Sequence, residues 1–376
     1  MQYRTFGRLD WKPSALGFGI MRMPTIVNDP PRIDEAEGTR MLRWAIDHGV
    51  NYLDTAYFYH GGNSEVFLGR ALQDGYRERI RLATKLPCGR VETTEDFDRI
   101  LNEQLTRLQT DHIDFYLLHG LNAAHWARMV ELRILEQAEK AIADGRVRYL
   151  GFSFHDKYEV FQEIVDAYDG WTMCQIQYNF MDEDRQAGKK GLQYAASKGL
   201  AVVVMEPLRG GALANPPEVV REIWAKAPRQ RTPVEWALHW IWNQPEVSLL
   251  LSGMSTMEQV QQNVATASDS GVGKLTPEEL AIFDQVRVQY QQLRPVPCTD
   301  CRYCQPCPSG VAIPRAFSAY NAGVMYNAPQ EARRLYNFID PSQRADQCTE
   351  CGQCEEVCPQ EIEIIDWLKK ADQYFS

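Results

Sequence analysis

Over roughly the first three quarters of the chain, short runs of apolar and β-branched residues alternate with longer stretches whose apolar positions recur every three or four residues. Short apolar runs set between turn formers predict strands, and the periodic stretches predict amphipathic helices. The predicted strands are Ala15–Ile20, Val50–Leu53, Ile80–Thr84, Ile113–Leu118, Val147–Phe152, Thr172–Gln177, Leu200–Met205 and Val247–Leu251. The helices between them include Asp34–His48, Glu95–Leu108, Ala127–Ala143 and Met257–Ala267. Strands alternating with helices pair in parallel, because each crossover helix returns the chain to the same end of the sheet. Eight such units predict an α/β fold in the form of a closed (β/α)8 TIM barrel over residues 1–290. An open dinucleotide-binding sheet would show G-x-G-x-x-G after its first strand, whereas Gly17-Phe18-Gly19 runs on to Arg22.

The pattern changes at Leu293-Arg294-Pro295-Val296-Pro297, a semi-stiff connector in which proline fixes φ and removes donors. Beyond it, residues 291–376 predict a small α-helical domain, with an apolar-periodic stretch at Arg315–Tyr326. The composition, 44% hydrophobic and 24% charged over 376 residues, is that of a globular protein able to fill a core. A formal charge of −10 argues against nucleic-acid binding, which asks for a basic face. The start of the chain lacks the apolar stretch of a secretory signal, and no apolar run is long enough to span a bilayer. A cytoplasmic location is therefore expected, with no membrane partner.

Eight of the ten cysteines fall in the tail, as Cys298-x2-Cys301-x2-Cys304-x2-Cys307-Pro308 and Cys348-x2-Cys351-x2-Cys354-x3-Cys358-Pro359. Thiolates stepped in this way converge on iron–sulfur cores, and in two-cluster ferredoxins the fourth cysteine of each run ligates the other cluster. On that pattern Cys298, Cys301, Cys304 and Cys358 would hold one 4Fe–4S cluster, and Cys348, Cys351, Cys354 and Cys307 a second. Cys307 is the weakest ligand assignment, since two residues rather than three precede it. Structural zinc is the competing reading, because Cys-x2-Cys pairs also build zinc ribbons. Disulfides fit less well with a reducing compartment. Cys88 and Cys174 read as buried thiols, and Trp236, His239, Trp240 and Trp242 as core.

Chemistry in such a barrel sits at the C-terminal ends of the strands. There the sequence places Asp54, Lys85, His119, Ser153 and Gln177 on successive strands, so that one rim collects them. Arg22, just past the first strand, could reach an anionic substrate, although surface charge is the commoner reason for such a residue, and His155 and Trp126 could line the pocket or equally serve packing.

Several motifs carry a resemblance. Asp54-Thr55-Ala56-x-x-Tyr59 with Gly62-x-Ser64-Glu65-x-x-Leu68-Gly69, then Ala83-Thr84-Lys85, Leu117-Leu118-His119 and Gly151-Phe152-Ser153, resemble the aldo-keto reductases. So do Gln175-Ile176-Gln177-Tyr178-Asn179 and Gly253-x-Ser255-x-x-x-Gln259-x-x-x-Asn263, and the tail resembles a branch with a C-terminal ferredoxin-like extension. The resemblance implies an oxidoreductase moving hydride between a nicotinamide and a small carbonyl or alcohol. Its tetrad falls on Asp54, Tyr59, Lys85 and His119: Tyr59 donates the proton, Lys85 paired with Asp54 lowers the phenol's pKa, and His119 orients the carbonyl. Cofactor contacts implied in the same way are Met21, Ser153, Gln177, Met205, Glu206, Pro207, Leu208, Arg209, Gly253, Ser255, Gln259 and Asn263. Phe154 stands where an asparagine is common, and Met205 where an aromatic ring usually stacks. Gln259 replaces a cation that would recognise a 2′-phosphate, which leaves NADP and NAD both open.

Nicotinamide moves two electrons and a cluster one, so exchange between them calls for a gate such as a flavin, for which no short barrel motif exists. A second reading is thus a ferredoxin- or flavin-linked electron-transfer reductase. A third is a redox-sensing, nicotinamide-binding regulator, which the complete tetrad disfavours.

Overall fold

The computed structural model describes residues 1–26 and 29–376. Eight strands, β1 (Leu16–Gly19), β2 (Tyr52–Asp54), β3 (Arg81–Leu86), β4 (Ile113–Leu121), β5 (Val147–Phe154), β6 (Met173–Gln177), β7 (Ala201–Met205) and β8 (Val247–Gly253), pair in parallel in sequence order. The barrel closes where β1 pairs with both β8 (Leu16 beside Leu250) and β2 (Phe18 beside Leu53). Inward residues such as Tyr52, Phe115, Met173 and Leu249 are fully buried, and Phe6 from the segment before β1 packs against Phe115 at 4.9 Å between ring centroids.

The strands lie where the apolar runs predict them, but several extend further. Lys85 lies inside β3, His119 inside β4 and Ser153 inside β5, so these side chains are set by strand pairing rather than by loops. Helices α1 (Glu35–Asp47), α2 (Asn63–Ala71) and α3 (Asp96–Leu108) follow the first three strands, and Asp34 caps α1 by accepting from the Glu37 amide at 3.2 Å. The stretch Ala127–Ala143 is two helices, not one: α4 (Ala123–Glu131) and α5 (Ile134–Ala143). Arg133 between them adopts a left-handed backbone with φ of 53°, which ends the first helix without any glycine or proline to signal it. A short antiparallel pairing of Thr25–Ile26 with Asp29–Ile33 had no expectation behind it.

The remaining helices are α6 (Tyr158–Asp166), α7 (Gly188–Ser197), α8 (Glu218–Ala225), α9 (Pro233–Trp242), α10 (Met257–Ser268) and α11 (Pro277–Gln292), followed in the tail by α12 (Ile313–Met325), α13 (Pro329–Asn337), α14 (Gln353–Glu356) and α15 (Ile364–Phe375). The tail core joins Ile313, Phe317, Ala332, Tyr336 and Leu368, with Tyr336 stacked on Phe375 at 4.0 Å. Trp236, Trp240, Trp242, His239, Cys88 and Cys174 are all buried, as expected of core residues.

Contacts divide the chain into two compact units, Met1–Pro207 with Ala237–Leu275, and Leu208–Trp236 with Thr276–Ser376. The second unit therefore takes in α8, α11 and the segment from Leu208 onward, together with the cysteine tail. Among the described residues no helix is long and apolar enough to cross a membrane.

Candidate active site and thiol pockets

Three strands and one loop bring the tetrad together. The Lys85 ammonium donates to Asp54 Oδ1 at 2.6 Å and to the Thr55 carbonyl at 2.7 Å, and its Nζ stands 3.4 Å from the Tyr59 hydroxyl. Lys85 is 1% exposed and Asp54 3%, so this is a desolvated ion pair whose members need each other. The other carboxylate oxygen of Asp54 accepts from Gln175 Nε2 at 2.9 Å. The His119 imidazole packs edge-on to the Tyr59 ring, with centroids 6.2 Å apart.

The protonation states follow from burial and from these neighbours. Burial lowers the Lys85 pKa, but Asp54 and Tyr59 outweigh it and hold the value above the ordinary one. Burial also raises Tyr59, with the Lys85 charge pulling the other way and Asp54 adding to the rise. Lys85 lowers the phenol's pKa as expected, but lost hydration exceeds the attraction of one ammonium already committed to a carboxylate, so the net direction is upward. His119 is pushed down to about 3, by burial first and by Lys85 second, so the imidazole is neutral at pH 7.

Behind Lys85 lies a polar layer. Glu65 on α2 is fully buried and accepts from Thr84 Oγ1 at 2.6 Å and Gln104 Nε2 at 2.5 Å, and Gln104 also donates to the Lys85 carbonyl at 3.1 Å.

Of the residues expected to hold a nicotinamide dinucleotide, Ser153 Oγ accepts from the Gly120 amide at 2.8 Å, which leaves its own hydrogen to donate elsewhere. Gln177 Nε2 donates to Asp182 at 3.3 Å. Met205 ends β7, and Met21 beyond β1 is well exposed. Glu206 and Arg209 both take left-handed backbones, with Pro207 and Leu208 between them. At the end of β8, Gly253 admits Arg22, whose Cγ would stand 2.8 Å from a Cβ there. Ser255 donates to the Arg22 carbonyl at 2.7 Å, Gln259 Oε1 accepts from the Ser255 amide at 2.8 Å, and Asn263 donates to Ser252 at 3.1 Å. Thr256 caps α10 at this point, so the helix presents its amide end beside the Gly253–Ser255 turn.

In the tail, Cys298, Cys301, Cys304 and Cys358 line one pocket, with Phe317 and Ile364 as apolar walls. Cys307, Cys348, Cys351 and Cys354 line a second, which Cys304 also borders. The fourth cysteine of each run thus crosses to the other run's pocket. Charge on Cys358 acts on Cys298, and charge on Cys307 acts on Cys354. Among the described residues no group of three His, Cys, Asp or Glu side chains closes on a single ion. Four converging thiols in each pocket are a donor set that fits an iron–sulfur core. Cys301 and Cys351 are exposed and the other six are partly buried.

Residues 15–288 match the aldo/keto reductase family model, and residues 297–363 match that of a 4Fe-4S dicluster domain. The chain belongs to the aldo/keto reductase family. It is an NAD(P)-dependent oxidoreductase of that type, with a C-terminal 4Fe-4S domain. Among curated aldo/keto reductase relatives, it is similar to the L-galactose dehydrogenase of Arabidopsis thaliana, 26% identical over 293 residues that cover 72% of this chain and 89% of that protein. It is also similar to the probable aldo-keto reductase 1 of Glycine max, 24% identical over 75% of this chain and 88% of the relative. Among solved structures, the holo form of an aldo-keto reductase from Bacillus halodurans aligns with a TM-score of 0.63 at 27% identity, over 76% of this chain and 96% of that one. An aldo-keto reductase from Klebsiella pneumoniae in complex with NADPH aligns with a TM-score of 0.62 at 26% identity, over the same shares. In this aldo/keto reductase the residue that sequence reading passed over is Gln175. Its signal was the two-residue step from Gln177, which puts both side chains on the inner face of β6.

Proposed function

We propose that the protein interconverts an aldehyde or ketone and the corresponding alcohol, with Tyr59 as the proton donor. The observation that carries this reading is the desolvated Lys85–Asp54 pair holding an ammonium 3.4 Å from the Tyr59 hydroxyl. NAD(P)H, when bound, supplies the hydride. Tyr59 gives its proton to the carbonyl oxygen, and Lys85 meets the phenolate that is left. The raised pKa of Tyr59 suits this direction, because the phenol stays loaded with its proton at neutral pH. Neutral His119 donates an N–H to the same oxygen as negative charge builds on it.

Ser153 and Gln177 would hold the carboxamide, and Met21 and Met205 would flank the ring. Glu206, Pro207, Leu208 and Arg209 would follow the diphosphate. Gly253, Ser255, Gln259 and Asn263 would serve the adenosine end. The Klebsiella relative's NADPH supports NADP, and Gln259 in place of a cation keeps NAD as the other candidate.

The thiol pockets support two 4Fe–4S clusters, on Cys298, Cys301, Cys304 and Cys358 and on Cys307, Cys348, Cys351 and Cys354. One observation favours a second reading, in which clusters pass electrons to the barrel through a flavin from a ferredoxin or similar carrier. Cys304, Tyr303 and Ile313 border both pockets, so the two sites adjoin as electron transfer requires. The tetrad favours the carbonyl reading over this one and over a regulator without catalysis.

The test is Tyr59→Phe, assayed as NADPH consumption against a panel of aldehydes and ketones. Turnover is expected to fall about 10²–10⁴-fold with the iron–sulfur absorbance unchanged. Retained turnover removes Tyr59 from the mechanism.

A further inference from the structure

Both thiol quartets lie within one compact unit, and their surroundings differ mainly in charge. Apolar walls do not separate them: Ile313 borders both pockets, Phe317 and Ile364 close the first, and Ile365 and Leu368 the second. Hydroxyls do not separate them either. Each run has a threonine after its first cysteine, Thr299 and Thr349. Ser309 and Thr349 use one of their two hydrogens on each other at 2.7 Å, which leaves one, as at Thr299. The charged side chains are unlike, with Arg302 bordering the first pocket and Glu356 the second. In the first run Asp300 is paired with Arg302 at 3.2 Å. In the second, Glu350 is paired with Lys369 at 2.8 Å. Glu355 and Glu356 directly follow Cys354, and neither has a cation partner among the described residues. Glu355 is partly buried, and its Oε1 accepts from the Ile365 amide at 2.8 Å. That bond fixes a carboxylate one residue from Cys354, and it takes up an amide of the first turn of α15 that would otherwise offer positive charge.

We infer that Glu355 sets the second cluster, on Cys307, Cys348, Cys351 and Cys354, at the lower reduction potential, so that an electron held by the tail rests on the first. This rests on the two-cluster reading given above. Four thiolates leave a 4Fe–4S core negative, and reduction adds one more negative charge. An unmatched carboxylate opposes that addition, whereas one matched by a guanidinium or an ammonium opposes it little. Glu356 acts in the same sense from an exposed position, where water and salt screen it, so the partly buried Glu355 dominates. An electron given to the second cluster by a one-electron carrier such as a ferredoxin then passes to the first. The second cluster is oxidised by one electron, the first is reduced by one, and no proton moves. The tail is directional, with the second quartet as donor and the first as acceptor.

The experiment is an anaerobic potentiometric titration of the holoprotein with titanium(III) citrate, followed by the electron paramagnetic resonance of the reduced clusters, with iron content recorded for every variant. The unaltered chain should hold about eight iron and reduce in two one-electron steps. Glu355→Gln, which keeps an acceptor for the Ile365 amide, should favour the lower step about tenfold, which is about 59 mV for one electron, and leave the higher step within about twofold. Glu350→Gln, at the carboxylate matched by Lys369, should move neither step by more than about twofold. Cys307→Ser should lose the lower step and keep the higher one. If Glu355→Gln sheds iron, Arg302→Gln serves from the other side: it unpairs Asp300 and should lower the higher step, and an unmoved step there overturns the inference. So does a lower step that survives in Cys307→Ser, a Glu355→Gln shift that falls on the higher step or on neither, or a Glu350→Gln shift as large as that of Glu355→Gln. About four iron in the unaltered chain removes the two-cluster reading itself, a different failure.

Discussion

In the barrel, Asp54, Lys85 and Gln175 come from three strands, and their polar contacts are made by buried atoms. In the tail, six of the eight thiols come in triplets within seven residues of chain, Cys298 to Cys304 and Cys348 to Cys354, and two of the eight are exposed. The barrel groups are unlike and are held together by desolvation: a cation, a carboxylate and an amide each satisfy what the others lack. The thiols are alike, and one another's charge is a cost, as the raised pKa of Cys354 (to about 11, by burial first and then by neighbouring acidic groups and thiols) indicates. An ion pair is complete without a ligand. A ring of thiolates is complete only around metal, which supplies the positive charge they lack.

That contrast can be broken most sharply at Lys85. Lys85→Met leaves the Asp54 carboxylate buried with only Gln175 as a donor, and the barrel should lose about 3–5 kcal/mol of stability along with activity. Adding Asp54→Asn should restore much of the stability and none of the activity. Denaturant melts in which the double variant is as unstable as Lys85→Met would show that the pair is not a closed unit. In the tail the corresponding change is Cys307→Ser, at the ligand whose spacing is irregular. Because Cys307 lines the pocket of Cys348, Cys351 and Cys354, iron should fall from about eight to about four per chain, and the spectrum of the remaining cluster should persist. Full iron in that variant would mean that Cys307 ligates nothing.

The smallest effect concerns pH. His119 has its folded pKa depressed to about 3 from 6.5, so the unfolded chain binds more protons there between those values. The neutral imidazole's contribution to stability is therefore complete above about 6.5 and declines as pH falls toward 3. Carbonyl reduction should show no histidine-like limb between pH 6 and 8, since His119 is already neutral and Tyr59 is protonated throughout. The reverse oxidation, which needs the phenolate, should quicken as pH rises. A bell with an acidic limb near 6.5 in the reducing direction would sink the assignment of a neutral His119.

The sequence disclosed these regions unequally, for physical reasons. Thiol spacing is local, so the two cysteine runs could be read directly, including the odd position of Cys307. The barrel rim could be read because strand period and strand ends place Asp54, Lys85 and His119 before any contact is known. What escaped depends on surroundings. The pKa direction of Tyr59 is set by how much water its neighbours exclude, and no motif records that. The break at Arg133 has no punctuating residue, because an arginine adopts the left-handed turn. Arg209 was assigned to a cofactor from its loop alone; its ring partner, Tyr326, lies far along the chain in a segment of different composition.

Cys301 and Cys351, one in each quartet, stand in contact with solvent. Dioxygen and peroxide can therefore reach sulfur there without any part of the fold opening, and aerobic handling should erode the tail while the ion pair beneath the barrel mouth stays dry. The first symptom of air damage should therefore be a loss of iron, well before proton transfer at Tyr59 slows.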